Sequence, residues 1–338
     1  MTDHAIAAPR RTSAMERYLA AETRLWQHYG LAPRERFVEI TRPGAQLRVL
    51  EAGSGPPVLF IHGTVGPGSW PSLVAGLPGF RSLMLDRPGW GLSTPVEFPR
   101  SGYRGFVADL LAALLDGLDI DRIDLVGGSV GDLWALSLAE HHPDRVGRVA
   151  LLGAGPLAPV VPVPPFIRVV SSPIGAIIVR LPVSPNRVRS ILRDGGHGRS
   201  LDAGRIPDVF VEWRVANDTQ TVAMRHERAM VRRLVDGSAY RAGLLFDDDA
   251  LRLIDAPVLF VYGTAAESGD ADVWRAFTTS LPNGSLELID GAGNMPWFDD
   301  PGRVAALVDG FLVRPAIEAM VPAESASAMR PPVPAART

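Results

Sequence analysis

The chain has 338 residues, 46% of them hydrophobic, and a formal net charge of -3. That apolar content suits one large core with an inserted subdomain and excludes a wholly disordered chain, while slight acidity without a basic stripe points away from nucleic acid. Every basic residue is arginine and cysteine is absent, which removes lysine Schiff-base chemistry, disulfides, thiolate nucleophiles and cysteine-ligated metals.

Residues 1–34 read as a mobile tail followed by a helix. Ser13 and Glu16 have capping-box spacing, Leu19, Leu25, Trp26 and Tyr29 supply an apolar face, and Gly30 ends it. The first residues lack a long apolar run, so no secretory signal or membrane span is expected and the cytoplasm is the default location. Phe37 to Ile40 and Leu47 to Leu50, around Pro43-Gly44, predict an antiparallel strand pair. Val58 to Ile61 is a continuous apolar run, as in a strand covered on both faces, and it delivers His62-Gly63-Thr64-Val65-Gly66-Pro67-Gly68 into a loop. The strand Ser82 to Leu85 leads into Asp86-Arg87-Pro88-Gly89-Trp90-Gly91. A helix follows with Phe106, Leu110, Leu111, Leu114 and Leu118 at helical spacing.

Strand, helix and strand alternate here, which predicts a parallel sheet. After the strand Val149 to Leu152 the pattern changes. Residues 156–250 are proline-rich and apolar, then arginine-studded and helical, with no strong strand signal; they read as an inserted helical cap. The run Ile174 to Val179, between Arg168 and Arg180, is too short to span a bilayer and is expected to pack inward or line a pocket. Pro257 to Tyr262, Val273 to Leu281 and Leu286 to Ile289 then give strand, helix and strand. Val304, Leu307, Val308 and Phe311 mark a closing helix, and residues 314–338, rich in Ala, Pro and Ser, are expected to be disordered in part.

The stretch that carries chemistry is Gly127-Gly128-Ser129-Val130-Gly131. It lies between a buried strand containing Ile123, Leu125 and Val126 and an apolar helix that stops before Pro143. A G-x-S-x-G in that context is a sharp turn whose small neighbours lift the serine hydroxyl off the sheet edge. The bland alternative is a glycine-rich turn whose serine caps the helix.

Four landmarks in order make the chain resemble the α/β-hydrolase superfamily over residues 35–313. They are His62-Gly63, the Asp86-to-Gly91 turn, Ser129, and Gly291-Ala292-Gly293-Asn294-Met295-Pro296-Trp297. The resemblance implies a mostly parallel sheet with helices on both faces and an inserted helical cap, its core formed by residues 35–155 and 251–313. It also implies Ser129 as nucleophile, with an oxyanion hole from the N–H groups of Val130 and Gly63 or Thr64. Two positions depart from the family pattern. Ala266 falls where the acid is expected, with Glu267 one residue and Asp270 four residues late, and Asn294 falls where the catalytic histidine is expected. An asparagine amide cannot accept the serine proton near neutral pH. His197 and His226, both in the cap, are the candidate replacement bases over Ser129. Asp132, in the first turn after the elbow, suits the helix dipole.

Three functions stay open on this reading: a serine hydrolase of small apolar esters or acyl compounds; a lyase, isomerase or cyclase on the same pocket; or a binding protein without turnover. A small apolar molecule is the expected partner. No cofactor, metal, nucleic acid or stable membrane insertion is implied.

Overall fold

Val58, Leu59, Phe60 and Ile61 are all fully buried. In the computed structural model, which describes residues 12–313 except 154, 159, 160, 242, 268 and 269, they form a central strand of an eight-stranded sheet. The strands are β1 (Arg34–Ile40), β2 (Ala45–Ala52), β3 (Pro57–Ile61), β4 (Arg81–Leu85), β5 (Ile123–Gly128), β6 (Val146–Leu152), β7 (Val258–Gly263) and β8 (Gly284–Ile289). Their spatial order is β1-β2-β4-β3-β5-β6-β7-β8, and β2 alone runs against the rest. Ile61 pairs with Gly127 and Gly127 with Leu151, so β3, β5 and β6 end level. Their following loops meet at the carboxyl edge, where open parallel sheets place their ligands.

Helices cover both faces. In Val130–His141 every residue from Val130 to Ala139 is buried; a helix apolar all round needs cover on every side, and it lies between the sheet and Tyr103–Gly117. The first helix, Ser13–His28, is capped by Thr12, whose side chain accepts from the Met15 N–H, and not by Ser13 as the sequence suggests. Thr12 is extended while Ser13 is already helical, so the cap falls one residue earlier.

This helix is bound by charge as well as packing. Arg48 on β2 is fully buried between Glu22 of the helix and Asp86 after β4, and the Tyr18 hydroxyl donates to Glu22 at 2.7 Å. One guanidinium serves two carboxylates. Burial therefore pushes Asp86 up to about 7 against the pull of Arg48, with Glu22 adding to the rise. On its outer side the helix meets the cap, through Arg17 to Gln220 and Arg24 to Glu212.

The insertion between β6 and β7 is largely helical: Pro165–Ser171, Gly175–Ile178, Pro185–Leu192, Gly198–Asp202, Asp208–Gln220 and Ala223–Leu234, with a π turn at Arg193–His197. It also holds a two-stranded pair, Val235–Asp236 with Ala239–Tyr240, which sequence reading does not anticipate because two residues per arm are too few to alternate. Ile174 and Ile177 do not pack inward as expected; they face solvent. The tails at 1–11 and 314–338, including His4, lie outside the described residues.

Candidate active site

Ser129 sits at φ 56°, ψ -117°, in the positive-φ region that a serine rarely occupies. Its neighbours hold it there. A Cβ on Gly63 would lie 2.6 Å from Gly128 O and from Ser129 Cβ, and one on Gly131 would lie 1.7 Å from Ile61 O, so the elbow is pressed between β3 and its following loop. Ser129 stands at the N-cap of Val130–His141 but makes no side-chain capping bond. The hydroxyl is not spent on the helix, which separates the elbow from a plain capping turn. Trp70 and Trp297 stack at 4.9 Å beside Gly128, and Trp297 Nε1 donates to Ser69 O at 2.7 Å.

The loop after β3 is fixed by buried cations. Arg87 Nη2 donates to Gly63 O at 3.0 Å, and Arg214 Nη1 donates to Thr64 O at 3.0 Å and Val65 O at 2.8 Å. Beneath it His62 is fully buried: Nδ1 donates to Gly63 O and Nε2 accepts the Arg87 N–H. Burial, then the charge of Arg87, holds its pKa well below the usual histidine range, so it is neutral.

Ser129, Gly63, Thr64, Val130, Asn294 and Glu267 all line one cavity of about 400 Å³. The cap supplies its apolar side through Val161, Phe166, Ile167, Val169 and Ile191. Asn294 Oδ1 is buried without a hydrogen-bond partner. Among the described residues no side chain bonds the Ser129 hydroxyl. At the rim, burial and then the charge of Asp194 raise the Glu267 pKa.

A protein-family model described as alpha/beta hydrolase fold matches residues 56–301. The chain belongs to the α/β-hydrolase fold family. It is 30% identical over 272 residues to an uncharacterized protein of Mycobacterium tuberculosis, covering 77% of this chain and 76% of that one. It is 28% identical over 293 residues to a 2-hydroxy-6-oxononadienedioate/2-hydroxy-6-oxononatrienedioate hydrolase of Cupriavidus pinatubonensis, covering 82% and 94%. The crystal structure of naproxen esterase from Bacillus subtilis superposes with a TM-score of 0.69 at 21% identity, covering 90% of this chain and 100% of that one.

Within this α/β-hydrolase fold, the remaining candidates separate. Ala266 is half-buried and does not line the cavity; Asp270 is exposed at the N-cap of Ala271–Thr279, also away from it. His226 packs against Gly89 and Phe98 rather than over Ser129, and burial followed by the charge of Arg87 pushes it down to about 4. His197 does line the cavity, yet both ring nitrogens are engaged. Nδ1 donates to Asp299 Oδ2 at 2.8 Å, and Nε2 accepts the Met295 N–H at 3.3 Å. Asp299 also accepts from Ser200 Oγ and from Gly293 N at 2.8 Å; burial alone would raise its pKa, but the His197 bond and charge, with these donors, carry it below the usual value.

Asp132 lies in the first turn of Val130–His141 and is fully buried. Its Oδ1 accepts the Leu152 N–H at 3.2 Å and its Oδ2 has no partner. Burial holds its pKa well above the usual value, against backbone hydrogen bonds from Leu152 and Ser129. Burial thus disfavours a negative charge beside Ser129. Asp299 and Arg214 escaped the sequence reading; neither sits in a motif that could have marked it.

Proposed function

We propose that the chain binds a small apolar ester or acyl compound in the Ser129 cavity and hydrolyses it through Ser129 at a low rate. The observation that carries this is a strained serine, free of any capping bond, on the wall of an apolar cavity beside a braced glycine loop. The substrate carbonyl oxygen would lie between the N–H groups of Val130 and Gly63 or Thr64, where a developing oxyanion meets fixed donors. Ser129 Oγ would attack the carbonyl carbon, the alcohol would leave, and water would release the acid. Asn294 and Ala266 stand where the family places its base and acid. With an amide for an imidazole, proton removal from Ser129 loses its acceptor, a deficit of about 10²–10⁴-fold in rate. The hydrolase and the esterase similar to this chain support a substrate carbonyl at this place.

A second reading rests on His197. Bound to Asp299, it is, among the described residues, the imidazole that lines the cavity with Ser129, and it becomes a base if Nε2 exchanges the Met295 amide for the serine hydroxyl. The test is labelling by a fluorophosphonate in the wild type, Ser129→Ala and His197→Gln. Slow labelling that needs Ser129 supports the first reading. Fast labelling lost in His197→Gln supports the second, and labelling indifferent to Ser129 overturns both, leaving the non-hydrolytic and binding alternatives.

A further inference from the structure

Exposed apolar side chains gather on one turn of the cap. Val169, Ile174, Ile177 and Leu181 are 46%, 65%, 64% and 56% exposed, all within the stretch that joins Pro165–Ser171, Gly175–Ile178 and the segment after them. Single exposed apolar residues need no account, but four between residues 169 and 181 do.

Arginines surround that turn. Arg168 and Arg180 flank it in sequence, and Arg225, Arg228 and Arg232 come from Ala223–Leu234. Arg228 Nη2 donates to Ser172 O at 2.9 Å, which joins the two segments. Some other cap arginines are paired, such as Arg233 with Glu97 and Arg214 with Asp218. Among the described residues these five have no carboxylate at ion-pair distance. Burial, then the charges of Arg232 and Arg180, push the Arg228 pKa down, as expected where cations crowd without counter-ions. Arg180 and Arg225 also line a groove of about 310 Å³ with Leu181 and the side of Thr219 and Thr221. Asp218 opens on the groove too, but its carboxylate is held by Arg214.

We propose that this face of the cap docks on an anionic phospholipid surface, with Ile174, Ile177 and Leu181 entering the boundary between headgroups and acyl chains and the arginines meeting phosphates. An exposed apolar segment flanked by cations is the chemistry of an interfacial segment. A second copy fits worse, because a two-fold contact would set these arginines against themselves. The whole chain is slightly acidic, so attraction to anionic lipid has to come from this local cluster. Val169 lies on both the exposed turn and the Ser129 cavity, so docking would bring the cavity wall next to the lipid.

The experiment is flotation of the full chain with phosphatidylcholine vesicles, with and without phosphatidylglycerol. The expected result is flotation with the anionic vesicles only, weakened by salt. Arg180→Gln with Arg225→Gln should lower apparent affinity about thirtyfold, and Ile174→Ser with Ile177→Ser should lower it at least as far. All four side chains are exposed, so both double variants should melt as the wild type does. Ser129→Ala should float unchanged, which keeps this outcome separate from that of the hydrolase reading. The proposal is overturned by no flotation, by equal flotation with neutral vesicles, or by flotation that survives both double variants. Stabilisation by inorganic phosphate without flotation would assign the groove to a soluble anion. A dimer in light scattering that Ile177→Ser dissolves, again without flotation, would assign the turn to self-association; either result overturns the proposal.

Discussion

Arg87 Nη2 donates to Glu227 Oε2 at 3.0 Å, and both side chains are almost wholly excluded from solvent. The same carboxylate oxygen accepts from Trp90 Nε1 at 2.9 Å. One glutamate of the cap helix Ala223–Leu234 thus satisfies two donors of the turn after β4, and Arg87 in turn holds Gly63. Glu227→Ala leaves a buried guanidinium without its counter-ion, so it should cost about 3–5 kcal/mol in denaturant unfolding. Labelling of Ser129 should fall with it, because the loop at Gly63 loses its brace. A Glu227→Ala variant with wild-type stability would show that the cap is not anchored here.

If Asn294 and Ala266 occupy the base and acid positions, Asn294→His with Ala266→Asp should rebuild a relay beside Ser129. Relay members act as a unit, so each single change should do little while the pair raises hydrolysis of an activated ester by at least about tenfold. An unchanged or reduced rate in a folded double variant would show that the register is wrong.

Asp132 gives the stability a pH dependence of known sign. Its carboxyl holds a proton in the folded chain well above the pH at which an unfolded aspartate releases it. The folded state therefore binds more protons across that window, and stability falls as pH rises through it. Asp132→Asn keeps an acceptor for the Leu152 N–H and cannot ionise. The expectation is that the variant equals or exceeds the wild type in Tm, with a gap that widens from acid to neutral pH. A gap that narrows would mean that Asp132 is ionised in the fold.

Medium-chain acyl compounds should bind the cavity whether or not they turn over, since Phe166, Ile167, Val169 and Ile191 present apolar surface to it. At about 100 times Kd the gain is about 2.7 kcal/mol, enough for a clear rise in Tm. Ile167→Arg should remove the rise. A panel of acyl chains that leaves Tm unmoved in folded protein would count against an apolar ligand.

The sheet and the elbow were legible in the sequence because each is a local pattern: Val58 to Ile61 is apolar at every position, and Gly127 to Gly131 turns a strand into a helix. Ile174 to Val179 is as apolar as β3, yet its isoleucines at 174 and 177 point outward; which side of a short run is covered depends on partners that the run itself does not specify. The start of the first helix differed by one residue because Thr12 and Ser13 are both good caps. His197 and Asp299 are 102 residues apart, and they meet only because a π turn with Gly196 at φ 91° brings the cap down onto the loop after β8. No spacing rule reaches across such a gap. The burial of Asp132 was hidden for the same reason, since the Leu152 amide that holds it belongs to another strand.

The helix Ser13–His28 is bolted to β2 through Glu22 and Arg48 and to the cap helix Asp208–Gln220 through Arg17 and Arg24. It therefore works as a strut: the side of the cap nearest residues 208–220 is tied to β2 through this helix, while Pro165–Ser171 is reached through Arg228 of Ala223–Leu234, the helix whose Glu227 holds Arg87. A cap mounted this way stands on two separate posts. The glycine loop is then braced independently from each, by Arg214 directly and by Glu227 through Arg87. Removing Ser13–His28 would take away the first of these posts.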